Sequence, residues 1–283
     1  MYPERMKARL VSILMATAMA VVAMARDVDR TEFLSNGVTA HRGDSGKFPE
    51  CTMPAFRSGI EVGADWLELD ILRTRDGRLV VIHDRTTGRV GDLDLDVTQS
   101  DYRELVRVDV ATDFRKRQGL TLAQCPRQRI PTLEAVLKLV MQQGKTRVSI
   151  QPKMDCVADA IRLVRRLGAE PWVGFNDGNL EYMSEVKRLA PEIPVFWDRA
   201  RSDLNVDLVI ARRQGFEALV VNEAHLNREK VRRIQRAGLE AGVWTVNRES
   251  DMKRFLEMGV DRIYTDFPGR LLELKKRRRE AKR

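Results

Sequence analysis

Two carboxylates stand two residues apart in an otherwise apolar run, the WLELDIL segment at residues 66–72. If this run is a β-strand, Glu68 and Asp70 project from the same face, because side chains alternate along a strand. Burying two carboxylates among apolar neighbours is costly without a partner. A surface ion pair would explain either acid alone, but it explains poorly two acids within one apolar strand. The pair therefore marks a candidate site for chemistry.

The sequence after this run predicts an antiparallel return. Asp76-Gly77 is a strong hairpin signal, and the short connection leaves no room for a crossover helix. With Asp76 and Gly77 as the two turn residues, His83 is predicted to stand directly opposite Asp70, with their Cβ atoms roughly 5 Å apart. The hairpin would thus bring an imidazole to the two carboxylates.

The elements that must position these residues alternate along the chain. From Asp27 onwards, short runs rich in β-branched residues are followed by helical patterns of about a dozen residues, which is typical of βα units. One of nine strand candidates belongs to the hairpin, and the other eight match the number that closes a barrel. We predict an α/β fold, a (β/α)8 TIM-type barrel with a β-hairpin arm. The strand candidates are 37–41, 66–72, 79–83, 147–151, 172–176, 194–198, 218–222, 242–246 and 261–265; the helix candidates are 53–62, 132–143, 156–167, 179–189, 204–214, 227–237 and 249–258.

The alternation extends over residues 26–274, which we interpret as a single barrel domain. Residues 85–131 break it and are rich in Asp, Arg, Gly and Gln. Because this segment is too long for an ordinary loop, we expect a small insertion over one face of the barrel. The length of 283 residues fits one large barrel about as well as two small domains, but no second domain is apparent.

Catalytic side chains of such barrels lie at the C-terminal ends of the strands and in the loops that follow. Two of only three histidines, His41 and His83, fall at predicted catalytic-face positions. Further polar residues at strand ends are Arg42, Gln151, Lys153 and Asp266.

Three other residues have two interpretations each. Glu50 is a candidate substrate-binding residue, but an acid also suits a helix N-terminus, and Pro49-Glu50 precedes a predicted helix. Trp244 lies near a strand end, where it would pack on substrate or belong to the core. His225 follows the strand at 218–222, and we interpret it as a loop residue that also has access to the same face.

The net charge of +9 lies mainly at the ends of the chain. Six of the nine charges belong to the basic tail, residues 275–283, and two to residues 1–25, which leaves one for the rest. A diffuse basic face for nucleic acid is therefore not supported. The tail is interpreted as a solvated helix end, with contact to an anionic membrane surface as the alternative.

The N-terminal segment has the layout of a secretory signal peptide. Arg5, Lys7 and Arg9 precede an apolar stretch from Leu10 to Ala25, which ends in the small residues that a signal peptidase reads. The stretch is shorter than the ~20 residues that cross a bilayer comfortably. We predict an exported protein, periplasmic, secreted or held on the outer side of a membrane, with an uncleaved anchor over residues 1–25 as the alternative.

The three cysteines show neither a zinc-binding pattern nor the partners of a catalytic thiol. An odd number leaves at least one thiol unpaired. Export would allow one disulfide among Cys51, Cys125 and Cys156.

Taken together, the motifs resemble the glycerophosphodiester phosphodiesterase family. The resemblance covers residues 37 to 269 with the motifs in order, and their joint pattern is highly specific. The segments that carry it are HRG, PECT, GADWLELDILRTRDGRLVVIHD, IPTLEAVL, VWTVN and GVDRIYTDFPG.

The resemblance implies a barrel with an insertion beside its catalytic face, and a role for each matching residue. His41 and His83 would be the general acid and base, in an order left open. Arg42 would clamp the phosphate, and Lys153 would be a further active-site cation. The nucleophile implied for this family is the neighbouring glycerol hydroxyl of the substrate, which gives a cyclic phosphate that water then opens.

The resemblance also implies a divalent cation, Ca²⁺ or Mg²⁺, held by Glu68 and Asp70. The glutamate that is the usual third ligand, in a Glu-x-Lys motif, is replaced here by Gln151. A glutamine carbonyl can ligate a hard cation but contributes no charge, so we expect weaker metal binding. Cys51 likewise replaces the asparagine of the usual PENT motif.

Two classes of function follow. The first is a hydrolase that converts glycerophosphodiesters, or a lysophospholipid or polymer phosphodiester, to a phosphate monoester and an alcohol. The second is a catalytically impaired barrel that binds a phosphorylated ligand. The residues favour the hydrolase, because a binding protein has no need for two histidines beside a metal. The sequence predicts no oligomeric state.

Overall fold

Nine strands form one sheet that closes into a barrel. The structure, a computed structural model, describes residues 36–201 and 203–281. Eight strands are parallel, and the first pairs with both the second and the ninth, so the predicted (β/α)8 barrel is confirmed. The strands are β1 (Val38–Ala40), β2 (Trp66–Arg73), β3 (Leu79–Val81), β4 (Arg147–Pro152), β5 (Val173–Asp177), β6 (Val195–Arg199), β7 (Ala218–Asn222), β8 (Glu240–Trp244) and β9 (Arg262–Thr265).

Helices follow the parallel strands, and every helix predicted from the sequence is present. Three more occur in the described part of the chain: two short ones within residues 85–131, and a last one that includes most of the basic tail. The helices are α1 (Met53–Glu61), α2 (Tyr102–Leu105), α3 (Thr112–Gln118), α4 (Leu133–Val140), α5 (Val157–Leu167), α6 (Leu180–Leu189), α7 (Leu204–Gln214), α8 (Arg228–Arg236), α9 (Glu249–Met258) and α10 (Pro268–Glu280).

Alternation along the strands separates two environments. In β2, Leu67 and Leu69 belong to the main core between the barrel and its helices, whereas Trp66 belongs to a smaller cluster with Phe196 and Tyr264. Glu68 and Asp70 share the face of Trp66, so the same period of two directs both carboxylates away from the helices. They are only 1% exposed.

The predicted register of the β2–β3 hairpin is wrong by one residue. Ile71 pairs with Val81 and Arg73 with Leu79, so Asp70 lies opposite Ile82 rather than His83. The turn has three central residues instead of two, because Thr74 still pairs with Arg78 and Gly77 adopts a left-handed conformation (φ 80°). His83 lies beyond the end of β3 and reaches the site from a loop.

Residues 85–131 have a small core of their own. Leu72, Val80 and Ile82 on the hairpin pack with apolar residues of this insertion, including Val97 and Leu105. The hairpin arm therefore supports the insertion on one face and the barrel core on the other.

Three further expectations concern the domain organisation, the N-terminal leader and the cysteines. The described chain from Asn36 onwards forms one compact unit, and the leader predicted at residues 1–25 lies outside the described residues. Among the described helices, none has the length and apolar character to span a bilayer. Cys51, Cys125 and Cys156 are all buried free thiols, so the disulfide allowed for in the sequence analysis is absent.

Candidate active site

A cavity of about 510 Å³ opens at the C-terminal ends of the barrel strands. Seven of the nine residues proposed for the site line it directly, and Asp70 contacts two of these seven, Arg42 and Lys153. The lining residues are His41, Arg42, Glu68, His83, Gln151, Lys153, Asn176, Gly178, Asp198, Arg199, Ala200, Arg201, Trp244, Thr245 and Tyr264.

His41 is held by a carboxylate from the neighbouring strand end. Its Nδ1 lies 2.7 Å from Oδ1 of Asp266, which also accepts hydrogen bonds from Asn247 Nδ2 at 2.6 Å and Ser45 Oγ at 3.1 Å. Burial opposes ionisation, but the bond from His41 lowers the pKa of Asp266 overall, so this carboxylate is ionised and can only accept. The Nδ1 of His41 therefore carries a proton, and its Nε2 is left to exchange one.

The second imidazole is anchored in the same way. Nδ1 of His83 lies 2.5 Å from Oδ1 of Asp84, and Asp84 is paired with Arg89 from the insertion. Burial lowers the pKa of His83. Burial lowers that of His41 too, but the Asp266 bond and the charge of Glu68 outweigh it and raise the pKa overall. The pKa values of the two imidazoles are thus shifted in opposite directions, which suits an acid–base pair.

Arg42 ties the two buried acids to the loop after β1. Its backbone N–H donates to Glu68 Oε2 at 3.1 Å, while its guanidinium lies 3.6 Å from Asp70 Oδ2 and 3.0 Å from Glu50 Oε1. The residue adopts a left-handed conformation (φ 56°), which is uncommon outside glycine and clusters at functional sites. Its backbone and side chain both face the acidic pair as a result.

The donor atoms beside Lys153 fit a cation. The Lys153 ammonium lies 2.7 Å from Gln151 Oε1 and 3.1 Å from Asp70 Oδ1, so these oxygens already converge on one positive group. Burial and the charge of Asp70 raise the pKa of Glu68 to about 7, which indicates a shortage of positive charge. No set of three His, Cys, Asp or Glu side chains in the described chain is placed around a metal position. A divalent ion here would draw on two carboxylates and the glutamine carbonyl.

Trp244, Glu50 and His225, each of which had two interpretations from the sequence, lie in three different environments. Trp244 lines the cavity, although it also packs against the barrel-interior cluster. Glu50 does not line the cavity but accepts from both Arg42 and Arg89, so it orients the phosphate-clamp candidate. His225 lies in a separate small pocket beside Lys230, outside the main cavity.

Sequence reasoning missed several residues of this site. Asp198 and Asn176, at the ends of β6 and β5, line the cavity and are joined by a 3.0 Å hydrogen bond. The rule that singled out Gln151 would have found them, because each follows an apolar strand. Asp84 could have been found as the carboxylate next to His83. Arg89 carried no such signal, since its role depends on how the insertion folds back.

Known proteins resemble this chain in sequence along most of its length. A profile of the glycerophosphoryl diester phosphodiesterase family matches residues 41–270. A glycerophosphodiester phosphodiesterase of Caldanaerobacter subterraneus is 31% identical over 246 residues, which cover 84% of this chain and 96% of the relative. A human lysophospholipase D is 25% identical over 278 residues, covering 86% of each chain.

Solved structures agree in fold. An Oleispira antarctica phosphodiesterase, determined with the product sn-glycerol-3-phosphate, superposes with a TM-score of 0.73 at 22% identity and covers 84% of this chain and 96% of its own. The family match spans most of the chain, and the catalytic-face residues lie in one cavity. The chain therefore belongs to the glycerophosphoryl diester phosphodiesterase family and is a phosphoric diester hydrolase.

Proposed function

We propose that this hydrolase is an exported, metal-dependent enzyme that converts glycerophosphodiesters to glycerol phosphate and an alcohol, with His41 and His83 as its acid–base pair. The observation that carries the proposal is the presence of two imidazoles in one cavity, each anchored through Nδ1 to a carboxylate. Each has Nε2 available to exchange a proton with substrate. The product bound to the Oleispira antarctica relative supports the same product here.

The side chains divide the work of the reaction. The anionic phosphodiester binds beside Arg42 and Lys153, and Arg42 is held in place by Glu50 and Asp70. One imidazole takes the proton from the attacking hydroxyl, which forms a bond to phosphorus. The other gives a proton to the departing alcohol oxygen as its bond to phosphorus breaks. We propose the neighbouring glycerol hydroxyl as the attacking group, with water opening the resulting cyclic phosphate in a second round.

A divalent cation, Ca²⁺ or Mg²⁺, bound by Glu68, Asp70 and Gln151 would neutralise the phosphate charge during this displacement. Both carboxylates are already buried, and Asp70 lies 3.1 Å from the Lys153 ammonium, so the folded protein brings these acids to the site before any ion binds. With two charged ligands instead of three, we expect an affinity lower than that of a three-carboxylate site.

The proposal is tested by glycerol phosphate release from glycerophosphocholine with Ca²⁺, with Mg²⁺ and with chelator. Turnover should require the metal and should fall by at least about 10²-fold in His41→Ala and in His83→Ala. His225→Ala is the matched control, because the third histidine lies outside the cavity. Turnover that persists in chelator, or that falls equally in all three variants, contradicts the proposal.

The substrate range has a second candidate in lysophospholipids. The human relative named as a lysophospholipase D is the specific observation in its favour. The same assay with lysophosphatidylcholine distinguishes the two: we expect a kcat/KM higher for glycerophosphocholine, and the opposite order would assign the enzyme to lysophospholipids.

Export rests on the order of charged, apolar and small residues within positions 1–25. Expression of the full chain in a bacterial host should give a protein outside the cytoplasm. Its mass should be that of a mature chain that starts at Arg26. A cytoplasmic protein that retains Met1 would refute export, and an outer-side, membrane-bound protein of full mass would support the anchor.

A further inference from the structure

The amide of Gln151 is held in one orientation by its neighbours. Its Oε1 accepts from Lys153 Nζ at 2.7 Å, and its Nε2 donates to Asp198 Oδ2 at 3.3 Å. An ammonium only donates and a carboxylate only accepts, so both contacts demand the same orientation of the amide. The carbonyl oxygen is thereby directed toward the group that also contacts Asp70.

Asp198 is itself fixed by a hydrogen-bond chain across three strands. Asn176 Nδ2 donates to Asp198 Oδ2 at 3.0 Å, and Ser149 Oγ donates to Asn176 Oδ1 at 2.6 Å. Ser149 lies two residues before Gln151 on β4, so the chain returns to the strand that it positions. The location of Asp198 is therefore determined by the barrel wall rather than by a flexible loop.

The carboxylate of Asp198 is only partly satisfied by the described residues. Its second oxygen, Oδ1, is buried and has no hydrogen-bond partner within the described residues. A group of this kind, facing a cavity, would be stabilised by a nearby cation.

We propose that Asp198 is a positioning residue for the cation site: it orients the carbonyl oxygen of Gln151 toward Asp70 and restores, one hydrogen bond away, the negative charge that glutamine does not supply. This inference rests on the metal dependence proposed above. Outer-shell groups of this type orient metal ligands and commonly change metal affinity by 10- to 100-fold.

Gln151 and Asp198 then form an exchangeable pair. A glutamate at 151 would place two carboxylates in contact across β4 and β6, which is unfavourable unless position 198 becomes neutral. Gln151→Glu combined with Asp198→Asn would reverse the direction of the hydrogen bond and keep the total charge. The double variant is therefore expected to recover the metal affinity that Asp198→Asn alone loses.

The test is a double-mutant cycle read by isothermal titration of Mg²⁺ and of Ca²⁺ into the metal-free protein, without substrate. We expect Asp198→Asn to weaken metal binding by about tenfold or more. The double variant should bind the metal at least as tightly as the wild type, since its total charge is unchanged and position 151 now supplies a charged ligand. Asp203→Asn is the control: it removes a carboxylate five residues along the same segment but preserves a helix cap, because Asn and Asp cap equally well.

The outcomes separate this inference from the proposed function. A wild-type protein that binds neither metal overturns the metal dependence itself, and this inference with it. Wild-type binding that is unchanged in Asp198→Asn overturns only the role of Asp198. If Asp198→Asn weakens metal binding but the double variant does not restore it, Asp198 does not act through Gln151. The melting temperature of each variant is measured in chelator, and Asp198→Ser is used in the same cycle if Asp198→Asn does not fold.

Discussion

His41 and Asp266 lie 225 residues apart in the chain, and their side chains are joined by a 2.7 Å contact between Nδ1 and Oδ1. The pair follows directly from barrel closure, because β1 and β9 are adjacent parallel strands and Ala40 is in register with Thr265. Each functional residue is the next one along its strand. The orientation of one of the two imidazoles proposed for catalysis is thus set by the same backbone pairing that closes the barrel.

Asp266→Asn should lower the pKa of His41. Burial already lowers this pKa, and the hydrogen bond from Asp266 is the strongest opposing effect, so its loss lets the imidazolium deprotonate at lower pH. The limb of the pH–rate profile that reports His41 should move to lower pH, and kcat should fall by roughly 10²-fold or more. With only three histidines in the chain, NMR titration of the imidazoles in chelator measures the shift directly. An unchanged His41 pKa would show that Asp266 does not control this residue.

Cys51→Asn should stabilise the protein. Cys51 adopts a left-handed conformation (φ 57°), which costs a non-glycine residue about 1–2 kcal/mol, and asparagine tolerates it better. We expect an increase of roughly 0.5–1 kcal/mol in the free energy of unfolding, measured by urea denaturation. Cys125→Asn is the control, since that buried cysteine does not have a positive φ and should only lose stability. A lower stability in Cys51→Asn would contradict the explanation.

Arg89→Met should impair catalysis from outside the cavity. Arg89 pairs with Asp84, which anchors His83, and with both oxygens of Glu50, which contacts Arg42. Without Arg89, Asp84 and Glu50 are held less firmly, and so the side chains that they orient are positioned less precisely. We therefore expect kcat/KM to fall by about 10-fold. Arg85→Met is the matched control, because among the described residues Arg85 forms an ion pair only with Asp96, which also belongs to the insertion. Equal effects of the two substitutions would exclude a specific role for Arg89.

Trp244→Ala should act on substrate binding more than on the chemical step. The indole lines the cavity while part of it packs in the barrel. Losing an apolar surface that covers the substrate should raise KM about 10-fold and change kcat by less than about 3-fold. Trp244→Phe keeps most of this surface and should remain near the wild type. A loss confined to kcat would mean that Trp244 does not contact the bound substrate.

Local patterns were sufficient for the elements and for much of the site. The alternation of strands and helices can be read directly from the pattern of apolar residues. Barrel geometry then places the residues at the strand ends on one face. The hairpin register was not accessible, because Asp76-Gly77 suits both a two-residue turn and the three-residue turn with Gly77 in the left-handed position. The environment of Asp198 was equally inaccessible, since it depends on side chains from three strands.

Barrel closure through β1 and β9 also determines when the site can assemble during synthesis of the chain. A chain that ends before Arg262 lacks the strand that pairs with β1, and it lacks the carboxylate that holds the His41 ring. Truncated translation products and growing chains on the ribosome therefore cannot contain an assembled catalytic centre. With His41 and Asp266 in their proposed roles, we expect hydrolytic activity only once the last strand has joined the barrel.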